Sequence, residues 1–206
     1  MNGTQPLSCY WNPTAKKIGL TFAYSLIVLV SLAGNTVIGI IVYKMKTMRK
    51  PINFLIVNMA ISDLMLPIFV IPPEIQMLYI DSWLIGGPLG QALCKLVDFL
   101  ISVSNAVSIQ SLVLIAVDRF GAVVFPLRSP LIRSKLCSFF ILGTWIIAMT
   151  VQSPYLFAYK LVEYSGGLAC DFFAQSSSFD HYEVSVLVTF YLIPWVVLVI
   201  LYITSI

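Results

Sequence analysis

The residue best placed to do chemistry is Asp63, which interrupts the mostly apolar run Ile52–Tyr79. In another apolar run, Ser104 and Ser108 stand one helical turn apart, so both hydroxyl groups can face one neighbour. A carboxylate with hydroxyl oxygens is a hard-oxygen donor set suited to a small cation. The alternative is a polar contact that only joins helices, as serines often do within membranes.

Glu74 is a second acid in the same run and follows Asp63 by eleven residues. At about 100° per residue, this spacing returns to within about 20° of the same helix face. The sequence therefore predicts one inward stripe carrying both acids, although Pro72 and Pro73 must disturb the helix there.

An adjacent pair of opposite charges, Asp118 and Arg119, ends the apolar run that begins at Phe99. These charges can pair with each other or exchange partners with other elements. The alternative is a solvated helix end with one arginine, and the pair by itself favours that interpretation.

The composition excludes a soluble enzyme or a nucleic-acid binder, because 59% of the 206 residues are hydrophobic and 10% are charged. Soluble domains have about 25% charged residues. One histidine and four scattered cysteines form no zinc-binding spacing, and no nucleophile elbow or phosphate-binding loop occurs. We therefore predict a membrane protein that is not an enzyme.

The elements that must position these residues are five runs, each long enough to cross about 30 Å of hydrocarbon as a helix. No repeat or linker separates the runs, so residues 1–206 are predicted to form one all-α membrane bundle. The predicted helices are about 18–45, 51–79, 91–122, 136–159 and 183–206.

Loop charge predicts the orientation of this bundle. Residues 44–50 and 119–135 each contain four basic residues and no acidic residue, whereas the other two connections are mainly acidic. The positive-inside rule places the basic connections in the cytoplasm and the N-terminus outside, although Lys16 and Lys17 count the other way. Asn2 opens an Asn-Gly-Thr sequon, which is glycosylated only outside.

Two features of the outer side follow from this orientation. Cys94 and Cys170 both lie in the oxidising compartment and can form a bridge, but Cys9 is also outside and leaves the pairing open. Cys137 falls on the cytoplasmic side. Between Ala158 and Phe173, two extended runs flank Ser-Gly-Gly, which predicts a β-hairpin in the second outer loop.

Eight short motifs occur in a fixed order and together resemble the rhodopsin-like (class A) G-protein-coupled receptor family. They are Gly34-Asn35-Thr36-Val37, Asn58-Met59-Ala60-Ile61-Ser62-Asp63, Trp83 with Gly86, Cys94, Asp118-Arg119-Phe120, Pro126-Leu127, Trp145 with Pro154, and Pro194 with Tyr202. Phe120 replaces the tyrosine usual in this family. The resemblance implies a seven-helix receptor truncated after its fifth helix.

The resemblance also implies roles for single residues. Asp63, helped by Ser104 and Ser108, would bind a sodium ion that favours the inactive state. Arg119 would be held by Asp118 at rest and released toward Tyr202 and the G protein on activation. Cys94 and Cys170 would form the outer disulfide.

The ligand is expected to be a peptide. Ile101 stands where amine receptors carry an aspartate, and the hairpin around Cys170 resembles the outer loop of peptide receptors. Acids at the outer end would attract a cationic ligand, unless they are ordinary loop charge; they are Glu74, Asp98, Glu163, Asp171, Asp180 and Glu183. The predicted pocket comprises Glu74, Asp98, Ile101, Ser102 and Asn105.

These expectations define a plasma-membrane receptor for an extracellular peptide of the neuropeptide class. It would activate a heterotrimeric G protein and need no cofactor beyond sodium. The alternative is a non-signalling five-span protein that dimerises with full-length receptors. Without two further helices, the chain alone is expected not to signal. A transporter is a distant third interpretation, since no inverted repeat occurs.

Overall fold

The computed structural model describes residues 13–125, 132, 134–174 and 176–204. Four residues named above lie outside this part of the chain, so their predicted roles stay predictions. They are Asn2, Cys9, Pro126 and Leu127.

Five helices dominate the structure, and all five are long and apolar enough to cross a membrane. This confirms the predicted five-span architecture. The helices are α1 (Pro13–Lys44), α2 (Pro51–Ile80), α3 (Gly87–Val124), α4 (Ser134–Ala158) and α5 (Ser177–Thr204).

Four helices, α1, α3, α4 and α5, begin two to six residues earlier than hydropathy predicts. The largest difference is in α5, which begins at Ser177 rather than at residue 183. Ser176 caps this helix, because its hydroxyl accepts a hydrogen bond from the Phe179 N–H at 3.3 Å. Prolines occupy the first turns of α1 and α3, where a missing N–H costs nothing. These polar turns extend beyond the hydrocarbon and are invisible to an apolarity criterion.

Helix α2 is not uniform. A π turn at Leu66–Val70 separates Pro51–Asp63 from Ile71–Ile80. A π turn acts as a one-residue insertion and rotates the following residues by about 100°. The predicted common stripe of Asp63 and Glu74 was therefore wrong: Asp63 is half-buried, whereas Glu74 is exposed.

Helix α3 is the centre of the bundle, since it contacts α2, α4, α5 and the outer hairpin. Three apolar clusters lie along its length, and α3 contributes buried residues to two of them and the partly buried Leu114 and Ile115 to the third. Helices α1 and α5 are mostly exposed within the chain, as expected of helices that face lipid or further helices. The clusters are Ile52–Leu55–Ile132–Cys137 at the inner end, Val103–Ala106–Val107–Ala148 in the middle, and Val70–Trp83–Cys94–Val97 at the outer end.

The outer loop forms the predicted hairpin. Strands β1 (Tyr159–Tyr164) and β2 (Gly167–Phe172) pair antiparallel, with Tyr164 opposite Gly167. Gly167 has φ +135°, and a side chain there would also collide with Ser82, so only glycine suits this turn.

The Cys94–Cys170 disulfide is present, which confirms the pairing that the resemblance implied. It joins the outer end of α3 to β2, with the two Cα atoms 5.6 Å apart. The backbone N–H of Trp83 also donates to the Leu168 carbonyl at 2.6 Å. The hairpin is thereby fixed over the outer end of the bundle.

Candidate functional site

Asp63 lies at the contact between α2 and α3. The Ser108 hydroxyl donates to its carboxylate at 2.6 Å. Ser104 does not contact that carboxylate; its hydroxyl donates to the Ser62 carbonyl at 2.8 Å. The Ser62 and Ser108 hydroxyl oxygens are 2.7 Å apart, so a short hydroxyl chain leads to the acid.

The oxygens around Asp63 fit a small hard cation. Among the described residues, Ser108 is the one side chain that donates to the Asp63 carboxylate, which leaves most of its lone pairs available. No group of three His, Cys, Asp or Glu residues occurs in that part of the chain. One carboxylate with neutral hydroxyl oxygens carries too little charge for a transition metal but suits a monovalent ion.

A neighbouring polar network, around Asn58, was not predicted as a site. The Asn58 amide donates to Ser111 at 3.0 Å and to Thr144 at 3.4 Å, and its carbonyl oxygen accepts from the Trp145 indole at 2.8 Å. Asn58 is 4% exposed. The signal in the sequence was an amide in an apolar span, which needs partners from other helices.

At the inner end, the structure gives Asp118 a partner other than Arg119. The Asp118 carboxylate accepts a hydrogen bond from the Ile132 backbone N–H at 3.1 Å, and the side chain is 9% exposed. Within the described ranges, the single ion pair joins Lys17 to Asp81. Asp118 and Arg119 are therefore adjacent in sequence but are not brought together as an ion pair.

Arg119 and Tyr202 both line a groove between α3 and α5. The groove is open, and Tyr202 is 70% exposed. The other residues that line the groove are apolar: Ala116, Phe120, Leu198 and Leu201. The cation and the phenol are thus positioned on one surface at the inner end of the bundle.

At the outer mouth, two predicted pocket acids lie close together. The Glu74 charge acts on Asp98, and the Asp98 charge in turn acts on the Tyr159 phenol. Burial raises the pKa of Tyr159, and the Asp98 carboxylate raises it further. Tyr159 therefore stays neutral.

A second part of the mouth forms a cavity of about 340 Å³ between α3, α4 and α5. Of the predicted pocket residues, Ser102 lines it. Ile101 instead packs against the outer apolar cluster. Polar walls that the prediction missed are Gln152, Tyr155, Glu183 and Tyr191.

An aromatic cluster connects this cavity to the hairpin. Phe179 lies at its centre, with ring centroids 5.2 Å from Phe172, 5.4 Å from Tyr182 and 5.9 Å from Tyr155. Tyr159 extends the cluster to Asp98 through Phe172. Because such ring pairs are rigid, they fix the hairpin relative to α4 and α5. No spacing rule in the sequence predicts it, since its members come from three elements.

The geometry belongs to a known class of protein. A sequence model described as "7 transmembrane receptor (rhodopsin family)" matches residues 34–206. The chain therefore belongs to this family and is a multi-pass membrane protein of the receptor class, not an enzyme.

Several characterised receptors are similar to the chain. A QRFP-like peptide receptor of Branchiostoma floridae is 35% identical over 74% of the chain and 39% of its own length. Neuropeptide FF receptor 2 of Rattus norvegicus is 36% identical over 64% of the chain and 30% of its own length. Cholecystokinin receptor type A of Oryctolagus cuniculus is 30% identical over 96% of the chain and 46% of its own length. The chain thus spans less than half the length of these relatives.

Proposed function

We propose that the receptor carrying this chain senses an extracellular peptide and activates a heterotrimeric G protein from the plasma membrane. The names of two relatives, a peptide receptor and a neuropeptide receptor, support the ligand class. Loop charge supports an extracellular N-terminus. The Cys94–Cys170 disulfide agrees with this orientation, because disulfides persist in the oxidising compartment.

The observation that carries the peptide proposal is the acidic character of this end of the bundle, where Glu183 lines the cavity with Ser102 and Asp98 stands one turn earlier on α3. Glu74 acts on Asp98, while Glu183 and Asp98 both act electrostatically on Tyr155. Like charges this close repel each other, and a cationic group relieves that repulsion. A ligand guanidinium can also bond a carboxylate through two parallel N–H groups.

The surrounding residues favour a peptide over a small amine. Ile101 presents an apolar surface within the outer cluster, so an amine finds no carboxylate there. Asp98 lies toward the hairpin, because its charge acts on Tyr159 of β1. A ligand must therefore be long enough to pass the hairpin and still reach the cavity lined by Ser102 and Glu183.

We propose that Arg119 is the residue through which the receptor contacts and activates the G protein. Since Asp118 bonds Ile132, the Arg119 guanidinium is free of its neighbouring carboxylate and shares a groove with Tyr202. A G-protein segment that entered this groove would meet a cation and a phenol on apolar walls. Sodium held by Asp63 and Ser108, with Ser104 nearby on α3, would oppose that state from the middle of the bundle.

A peptide screen of the whole receptor tests the proposal, with G-protein activation as the readout. For an arginine-containing agonist, Asp98→Asn or Glu74→Gln should raise the half-maximal concentration at least about tenfold, the loss expected when a charge-assisted bond is removed. Glu163→Gln is the matched control, because this exposed acid lies on the hairpin away from the cavity.

Two results would contradict the proposal. A response to amines that is unaffected by both pocket substitutions would exclude the peptide assignment. Peptide binding without G-protein activation, unchanged by Arg119→Ala, would favour the alternative of a non-signalling dimerisation partner.

A further inference from the structure

We propose that the inner ends of α1 and α2 form a binding site for an anionic phospholipid, with the headgroup at Arg49 and one acyl chain between the helices. The site is separate from the ligand mouth, from Asp63 and from the groove at Arg119. It does not depend on the nature of the peptide ligand.

The first observation is a groove between α1 and α2 with apolar walls and one cation. Arg49 lies at its mouth, and Tyr43, 77% exposed, lies beside it. The remaining lining residues carry no charge: Gly39, Val42, Phe54 and Val57. A hydrocarbon chain fits such walls, and a phosphate fits such a mouth.

The second observation is the position of Arg49. Its guanidinium donates to the Tyr43 carbonyl at 2.5 Å and lies 5.9 Å from the centre of the Tyr43 ring. These contacts hold the exposed guanidinium at the end of α1. A guanidinium has five N–H donors, and no acid of the described residues pairs with this one. The donors left over point to an anionic ligand.

The third observation is the charge around the mouth. Lys44, Lys46, Arg49 and Lys50 fall within seven residues and include no acid. A cluster of four basic residues directly beside a membrane helix attracts anionic lipids of the cytoplasmic leaflet. The positive-inside rule places this end of the bundle on that leaflet. The tyrosine at the mouth also suits the membrane–water interface.

The groove permits a test that changes no charge. A Cβ atom added at Gly39 meets nothing within 4 Å, so a larger residue there can fill the groove without a clash. Gly143 on α4 has the same open surroundings but does not line the groove. Gly39→Leu therefore blocks the proposed acyl chain, and Gly143→Leu is its matched control.

The experiment titrates the purified chain in detergent with phosphatidylserine and counts bound lipids by native mass spectrometry. Phosphatidylcholine with the same acyl chains tests the charge, and glycerophosphoserine, which has no acyl chains, tests the groove. We expect phosphatidylserine to bind more tightly than either. Arg49→Gln should weaken its binding about fivefold, the effect of one basic residue near a membrane surface.

The controls decide between a site and general attraction. Lys135→Gln removes an exposed cytoplasmic charge outside the groove and should leave binding nearly unchanged. Gly39→Leu should weaken phosphatidylserine binding although it keeps every charge, and this variant still tests the site if Arg49→Gln does not fold. Equal affinity for the two phospholipids, equal losses in Arg49→Gln and Lys135→Gln, or undiminished binding in Gly39→Leu would each overturn the proposal.

Discussion

Two polar residues of α2, Asn58 and Asp63, stand five positions apart in the same span and have opposite surroundings. Three side chains from α3 and α4 satisfy the neutral Asn58 amide, which is almost fully buried. The Asp63 carboxylate receives one hydroxyl from the described residues and is half-buried. The neutral group is bonded as a structural joint, whereas the charged group is left able to bind something else.

This difference has a physical reason. A buried amide gains its full benefit only when each donor and acceptor is paired, so a stable bundle pairs it completely. A carboxylate within hydrocarbon needs a positive counter-charge as well as hydrogen bonds. The described residues supply hydroxyl groups at Asp63 but no cationic side chain. The proposed sodium ion would provide the positive counter-charge.

The largest expected effect is the loss of stability when Asn58, the fully bonded residue, is replaced. Asn58→Leu should lower the free energy of unfolding by about 2 kcal/mol, because it removes a buried amide and leaves the half-buried Trp145 indole N–H and the buried Ser111 and Thr144 hydroxyls without this partner. Thermal unfolding of the purified chain measures this change. Ser138→Ala, on the exposed face of α4, is the control and should have almost no effect. A loss of stability in Asn58→Leu no larger than in Ser138→Ala would contradict the distinction between a structural Asn58 and an ion-binding Asp63.

Sodium should act on Asp63 and not on Asn58. If sodium binds at Asp63, then sodium at ten times its Kd should stabilise the chain by about 1.4 kcal/mol relative to choline, and Asp63→Asn should abolish this gain. In the whole receptor, Asp63→Ala should likewise abolish the effect of sodium on agonist affinity. Asn58→Leu should retain the sodium effect despite its lower stability. Sodium stabilisation that survives in Asp63→Asn would reject the site.

Single donors sharpen the comparison further. Trp145→Phe removes one hydrogen bond, and Ser108→Ala removes two, to Asp63 and to Ser62, each worth about 1 kcal/mol. We expect Trp145→Phe to lower stability equally in sodium and in choline, because Asn58 binds no ion. Ser108→Ala should lower it more in sodium, since the hydroxyl also serves as a ligand. Melting curves in both salts separate the two patterns, and identical salt dependence would contradict them.

The smallest effect concerns a third polar residue, Asp98, and its partner Tyr159. The folded state raises the pKa of Tyr159, so the stability that the neutral phenol contributes is complete below the unfolded pKa of about 10. It is lost as the pH rises further. The chain should therefore lose stability above about pH 10, and Tyr159→Phe should lose less. Tyr43→Phe, on an exposed ring, should behave as the unaltered chain, and equal curves for both variants would argue against the contact.

The outer end illustrates what a sequence can reveal about position. Gly167 follows a Ser-Gly pair between two extended runs, so the hairpin could be predicted from local turn chemistry alone. The partners of that hairpin could not be predicted in the same way. Phe179 packs on Phe172 because α5 starts six residues early, and that start depends on the Ser176 cap instead of on apolarity.

The sequence by itself determined the five spans, the hairpin and the family, because apolar length, turn residues and ordered motifs are local properties of the chain. It also identified Asp63 as a costly acid, since any charge in a span stands out against its neighbours. Only the tertiary structure decided which partners these residues meet. The π turn in α2 separated Glu74 from Asp63, and Ile132 took the place of Arg119 beside Asp118. Such choices depend on helix phase and interhelical distance, which no single segment encodes.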